Sequence, residues 1–188
     1  MIDPEGLRLT LDYDPLSGKL RWKHRDDRSA QWNARMAGKH AGTINSNGYV
    51  EVRMNGHRYG AHRLAWIITH GVIPAGLTVD HVDRDPSNNR LANLRLATQS
   101  QNNANSLRKK SASGVKGVTW RADRNYWMAR ITINGRSVNL GKFATAPEAH
   151  AAYLARARAV FGQFARGAVS EGTKPMGEAE GGCREAKT

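Results

Sequence analysis

The stretch Thr78 to Asn105, TVDHVDRDPSNNRLANLRLATQSQNNAN, carries residue types at a spacing suited to phosphate chemistry. Asp80 and His81 are adjacent and follow Leu77-Thr78-Val79, a short apolar run with β-branched members. That places the pair at a strand end. Asp83, Asp85, Pro86, Ser87, Asn88 and Asn89 come next, and all are turn formers. Leu91 to Ala97 predicts a second short strand. Thr98 then reads as a helix N-cap, with Gln101 three residues on as its capping-box partner. Asn102 falls in the first helical turn, where its side chain faces back across the hairpin toward Asp80. An aspartate and an amide oxygen are hard ligands, better suited to Mg²⁺ than to zinc. The expectation is one divalent metal per site, Mg²⁺ with Mn²⁺ as the alternative, held by Asp80 and Asn102 against a phosphate. His81 then stands beside the metal, free to take a proton from water.

Other readings compete. Asp80, Asp83 and Asp85 suggest a calcium loop, but the glycine and closing glutamate of an EF-hand are missing. Taken singly, Asp-His is more often a turn, Asn93 a strand-entry residue and Asn102 a solvated helix residue. As a set, V-D-H, N-N-R-L-A-N-L-R and T-Q-S-Q-N resemble the HNH nucleases, particularly the phage and intron homing-endonuclease branch. The resemblance implies that His81 is the general base. It implies that Asn93 is the middle motif residue, holding the loop and orienting His81, and that Asn102 occupies the third position. It marks Arg90 and Arg95 as motif-associated cations for phosphate contact or loop bracing. Products with 5′-phosphate and 3′-hydroxyl ends would follow, by nicking or by double-strand cleavage.

Composition bounds the partner. The chain has 188 residues and a net charge of +13, which favours an anionic polymer. No apolar run approaches the roughly 20 residues of a membrane span, and no secretory signal opens the chain. A single cysteine, Cys183, excludes a disulfide framework and a cysteine zinc site, so a cytoplasmic setting in a bacterial or phage-infected cell is expected. A monomer is the working expectation for the oligomeric state.

The elements that must position the site read as follows. Residues 7–23 predict a hairpin and residues 24–37 an irregular loop. Asn47-Gly48 and Asn55-Gly56 bracket the alternating Tyr49–Met54, which predicts a meander. Residues 61–70 predict a helix stopped by Gly71. His62, at its start, reads as structural rather than as a metal ligand. Beyond a basic connector, strands are expected at about 115–121, 127–133 and 136–143, with Asn134-Gly135 as a turn. A helix follows from the Thr145 cap, with Ala149, Tyr153, Ala157, Val160 and Phe164 on one face. From 105 to 142 there are nine basic residues and one acid, a local net of +8.

G-V-K-G-V-T-W, W-M-A-R-I, L-G-K-F and A-P-E-A-H-A-A-Y resemble the Apetala-two type DNA-binding domain. By that resemblance the exposed sheet face binds double-stranded DNA through Lys116, Thr119, Arg121, Arg130, Thr132, Ser137 and Asn139. The expected fold is α+β: a ββα-metal HNH domain preceded by a β-meander, then a three-stranded antiparallel sheet packed on one helix. The expected division is 1–105 nuclease, 106–112 linker, 113–166 DNA-binding domain and 167–188 disordered tail. The rival reading is a non-catalytic, sequence-specific DNA-binding regulator with a silent HNH fold.

Overall fold

The computed structural model describes residues 3–106 and 115–165. Most of the expected linker and the tail at 167–188, with Cys183, lie outside the described residues. The first element corrects the sequence reading. Residues Pro4–Thr10 form a helix, α1, rather than the start of a hairpin. Asp3 caps it by accepting from the Glu5 and Gly6 amides, and Pro4 occupies the first turn, where its missing N–H costs nothing. Leu7 is buried while Leu9 is exposed, so one face of this short helix meets the core. The hairpin is β1, Leu11–Asp14, paired with β2, Lys19–Trp22.

A second correction is α2, Ala30–Met36, where an irregular loop was expected. The Ser29 hydroxyl caps it, and the buried Asn33 amide closes a two-way clasp on the Arg25 backbone. Trp32 packs edge-on against Trp22 with ring centroids 5.9 Å apart. β3 (Thr43–Ile44), β4 (Val50–Met54) and β5 (His57–Gly60) form the expected antiparallel meander. Helix α3, Ala61–His70, packs Leu64 and Ile67 into a core with Leu11, Leu20 and Val52.

The next unit is β6 (Leu77–His81), β7 (Leu94–Thr98) and α4 (Gln99–Asn105), with the full Thr98–Gln101 capping box in place. The second strand starts later than expected, because Leu91–Asn93 is a short 3-10 turn. The last unit is an antiparallel sheet in the order β10-β9-β8, comprising β8 (Val118–Arg121), β9 (Tyr126–Ile133) and β10 (Arg136–Phe143). It packs on helix α5, Ala146–Phe161, and is followed by a 3-10 turn at Gly162–Phe164. β8 begins three residues later than expected. Gly117, at φ +76°, is pressed against the Tyr153 ring with no room for a side chain. The α+β class and these layers match the expectation. Ala97 and Ala104 share one core with Ile131, Tyr153, Phe161 and Phe164, so the sheet-and-helix unit seats directly on α4. Among the described residues, no helix is long and apolar enough to cross a membrane.

Candidate active site

Strands β6 and β7 pair in a register that sets Asp80 opposite Arg95 and His81 opposite Leu94. Asp80 and His81 are both nearly fully buried, an environment that ionisable side chains occupy only with partners. Asp80 has them. Arg95 places Nε and Nη2 each 3.0 Å from Oδ2. The Asn105 amide nitrogen donates to both carboxylate oxygens, at 3.1 and 3.0 Å, and to the His81 carbonyl oxygen at 2.8 Å. Asp80, His81, Asn102 and Asn105 line one open cleft, with Tyr49 and Arg84 also on its wall. Asn102, the expected second ligand, faces this shared cleft. The α4 side chain that bonds Asp80 is instead Asn105, one helical turn further on.

His81 is fixed by Asn89, not by Asn93. Its Nε2 lies 3.0 Å from Asn89 Oδ1, and both residues are buried. The Asn89 amide nitrogen donates to the Ser87 carbonyl at 3.2 Å, which directs the amide oxygen at the ring. An amide oxygen only accepts, so His81 must donate from Nε2. Neutral His81 then carries its lone pair on Nδ1, the atom of a general base. Asn93 braces the loop. Its oxygen accepts from the Asp83 amide, and its nitrogen donates to Asp83 Oδ1 and to the Asn88 carbonyl. The loop acids are used within the loop as well. The Ser87 hydroxyl and amide on Asp85 hold its carboxyl below the usual carboxylate range. Among the described residues, no three His, Cys, Asp or Glu side chains gather into a metal cage.

The β1–β2 turn holds Asn89 from behind. The Tyr13 hydroxyl donates to the Asn89 carbonyl at 2.7 Å, the Leu91 amide to the Pro15 carbonyl at 3.0 Å, and Arg90 Nε to the Leu16 carbonyl at 3.1 Å. Burial, with Asp14 nearby, pushes the Tyr13 hydroxyl up to about 12, so it remains a donor. Gly18 sits at φ +74°, and a Cβ there would lie 2.5 Å from the Asn89–Arg90 peptide. Arg90 therefore braces the loop. Arg95 is likewise engaged inside the protein.

His62 stands beside the site. Its ring centroid lies 5.0 Å from that of His81 and 5.6 Å from that of Tyr49. Burial first, then His81 and Arg63, pulls its pKa down to about 4, and its buried Nδ1 has no hydrogen-bond partner among the described residues.

The C-terminal sheet presents a polar outer face. Register pairs Arg130 with Asn139 and Thr132 with Ser137, and all four are exposed. Thr119 and Arg121 extend that face on β8. Lys116 stands elsewhere. Its ammonium donates to the carbonyls of Asn103, Ala104 and Ser106 at the end of α4, at 2.6–2.9 Å. The expectation that Lys116 contacts DNA thus meets a residue already committed to capping a helix C-terminus.

Three residues at the site were not singled out from sequence. Asn89 and Asn105 belong to asparagine-rich runs in which only packing separates bonded from solvated side chains. Arg84 carries a signal visible only in the backbone, a φ of +68° at a non-glycine residue on the cleft wall.

Comparison with known proteins locates the same segment. The family model described as HNH endonuclease matches residues 59–104, from β5 to α4. Protein 3.8 of Escherichia phage T7 is 37% identical over 106 residues, covering 56% of this chain and 87% of that protein. An uncharacterized HNH endonuclease of Acanthamoeba polyphaga mimivirus is 37% identical over 105 residues, covering 55% of this chain and 54% of that protein. Among solved structures, the HNH homing endonuclease I-HmuI, from a study of its DNA binding and cleavage, aligns with a TM-score of 0.40 and 26% identity over 55% of each chain. With the phage protein matched over most of its length and the family model lying on the Asp80–His81 hairpin and α4, this chain belongs to the HNH endonuclease family.

Proposed function

We propose that the protein is a divalent-metal-dependent endonuclease that hydrolyses phosphodiester bonds in double-stranded DNA, with His81 as general base. The observation that carries this is the Asn89–His81 hydrogen bond, which leaves Nδ1 as the basic atom of a ring beside a buried carboxylate. The donor set of the cleft fits a hard cation. Among the described residues, Asp80 Oδ1 accepts only from Asn105, which leaves it a lone pair, and Asn102 lines the same cleft. Asp80 and Asn102 would hold Mg²⁺ or Mn²⁺, the remaining positions going to water and phosphate oxygens. Such an ion, when bound, supplies positive charge against the scissile phosphate and the leaving oxygen.

The protein's own groups do the rest. His81 Nδ1 takes the proton of a water as its oxygen forms the new bond to phosphorus. The bond from phosphorus to the 3′-oxygen breaks, and that oxygen takes a proton from solvent. The products are a 5′-phosphate and a 3′-hydroxyl. Arg84, on the cleft wall, is placed to meet a phosphate oxygen. The outer sheet face, with Thr119, Arg121, Arg130, Thr132, Ser137 and Asn139, docks the duplex and positions the cleft along it. The test is incubation of purified protein with supercoiled plasmid in Mg²⁺, Mn²⁺ or EDTA. Relaxed or linear DNA in either metal, and none in EDTA, is expected. Equal cleavage in EDTA, or none in any condition, would overturn the assignment.

A further inference from the structure

We propose that the C-terminal sheet-and-helix unit is a working part of the nuclease site rather than a tether. Arg95 is the positioning residue through which that unit holds the Asp80 carboxylate. This rests on reading Asp80 as a metal ligand.

Arg95 links the two parts in one side chain. Two of its nitrogens meet Asp80 Oδ2 at 3.0 Å, and the third, Nη1, donates to the Gln163 carbonyl at 3.1 Å. Its guanidinium carbon lies 3.9 Å above the centre of the Phe164 ring. Gln163 and Phe164 form the 3-10 turn after α5, far from Asp80 in sequence. Only 13% of the Arg95 side chain and 5% of the Asp80 side chain are exposed, so neither is a solvated surface ion pair. The Phe164 ring and the Gln163 carbonyl hold the guanidinium, and its two nitrogens on Oδ2 hold the carboxylate. Oδ2 is thereby engaged by Arg95, while Oδ1 accepts, among the described residues, only from Asn105.

The same unit grips the helix carrying Asn102 and Asn105. Lys116 caps the α4 carbonyls, and the Ser100 hydroxyl accepts the Asn134 amide from the β9–β10 turn. Both sides of the candidate ligand pair are therefore aimed by C-terminal residues that touch neither metal nor cleft. A detached tether has no reason to make these contacts.

The variants that test this keep the charge, because removing the Arg95 cation would also strengthen Asp80 as a ligand and blur the result. Phe164→Leu removes the stacking ring and retains apolar burial. Arg95→Lys retains the cation and loses the fork. Asp80→Asn controls for the metal site, and Val118→Ala softens the same unit on the far side of its core. Mn²⁺ is titrated into each full-length protein without DNA and followed by electron paramagnetic resonance. Thermal unfolding and single-turnover kinetics are run alongside.

Phe164→Leu and Arg95→Lys are expected to weaken Mn²⁺ binding by about tenfold or more, the usual loss for a partner behind a metal ligand. They should lower kcat with KM for DNA unchanged. Val118→Ala should lower the melting temperature and leave Mn²⁺ affinity as in the wild type. If Asp80→Asn binds Mn²⁺ like the wild type, the metal reading falls and takes this proposal with it. If Asp80→Asn loses the ion while Phe164→Leu and Arg95→Lys keep it, only the positioning role falls. If Val118→Ala weakens binding as much as Phe164→Leu, general softening explains the loss and the proposal is overturned.

Discussion

Replacing Asn89 with alanine isolates the contact on which the base assignment depends. His81 and Asn89 are 6% and 3% exposed, so water does not readily replace the lost acceptor. Burying the Nε2–H without a partner costs about 1–3 kcal/mol, and stability should fall by that amount. The catalytic effect has a separate origin. The Asn89 bond favours the tautomer with Nδ1 bare by about 1–1.5 kcal/mol, near the 1.4 kcal/mol that makes one factor of ten. Loosened ring orientation adds to this, so a loss of kcat of about 10–100-fold is expected, no more than the low end of the roughly 10²–10⁴-fold that a general base supplies. KM for DNA should not change, because Asn89 lies beneath the cleft and away from the outer sheet face. The assay is single-turnover cleavage of plasmid at saturating protein, with a gel shift in EDTA for binding and urea unfolding for stability. A folded Asn89→Ala protein cleaving within about threefold of the wild-type rate would refute the reasoning, since a tautomer set by one buried bond cannot be released so cheaply.

Gly18→Ala should cost at least about 1–2 kcal/mol from the left-handed backbone alone. The methyl would also press on the Asn89–Arg90 peptide, so the cleavage rate should fall with it; calorimetry showing an unchanged melting temperature would contradict the close packing. His62 is buried in its neutral form, with a folded pKa of about 4 against an ordinary value of 6.5. The unfolded chain therefore binds more protons in that window, and stability should fall as pH drops from about 6.5 to about 4, by on the order of 3 kcal/mol. Urea unfolding of His62→Phe should lose that slope, and an unaltered slope would count against burial as its cause. Arg121→Ala with Arg130→Ala should weaken duplex binding and flatten the salt dependence by about two in slope; a gel-shift salt series with parallel lines would remove these arginines from the interface.

Local rules carried much of the fold. The Asn-Gly turns, the two capping boxes and the alternation of Arg130 and Thr132 against Ile131 and Ile133 are encoded within a few residues, and the structure has them. Helices α1 and α2 escaped because each spans only seven residues and is held by tertiary packing of Leu7 and by the Asn33–Arg25 clasp. In the site, spacing brought Asp80, His81 and Asn102 to one cleft. It did not separate Asn89 from Asn93, four residues apart in one asparagine-rich loop. Which of them meets His81 is decided by the β1–β2 turn, fixed from more than 70 residues away. Arg95 was open to phosphate contact or bracing for the same reason, since its partner Phe164 lies in the last described turn.

The most direct test of the central claim is single-turnover cleavage by full-length His81→Ala in Mg²⁺, with duplex binding measured in parallel. Loss of the base should lower the rate by about 10²–10⁴-fold while the dissociation constant for DNA stays at the wild-type value. A rate above about one tenth of wild type, with binding intact, would show that another group takes the proton from water and would contradict the account.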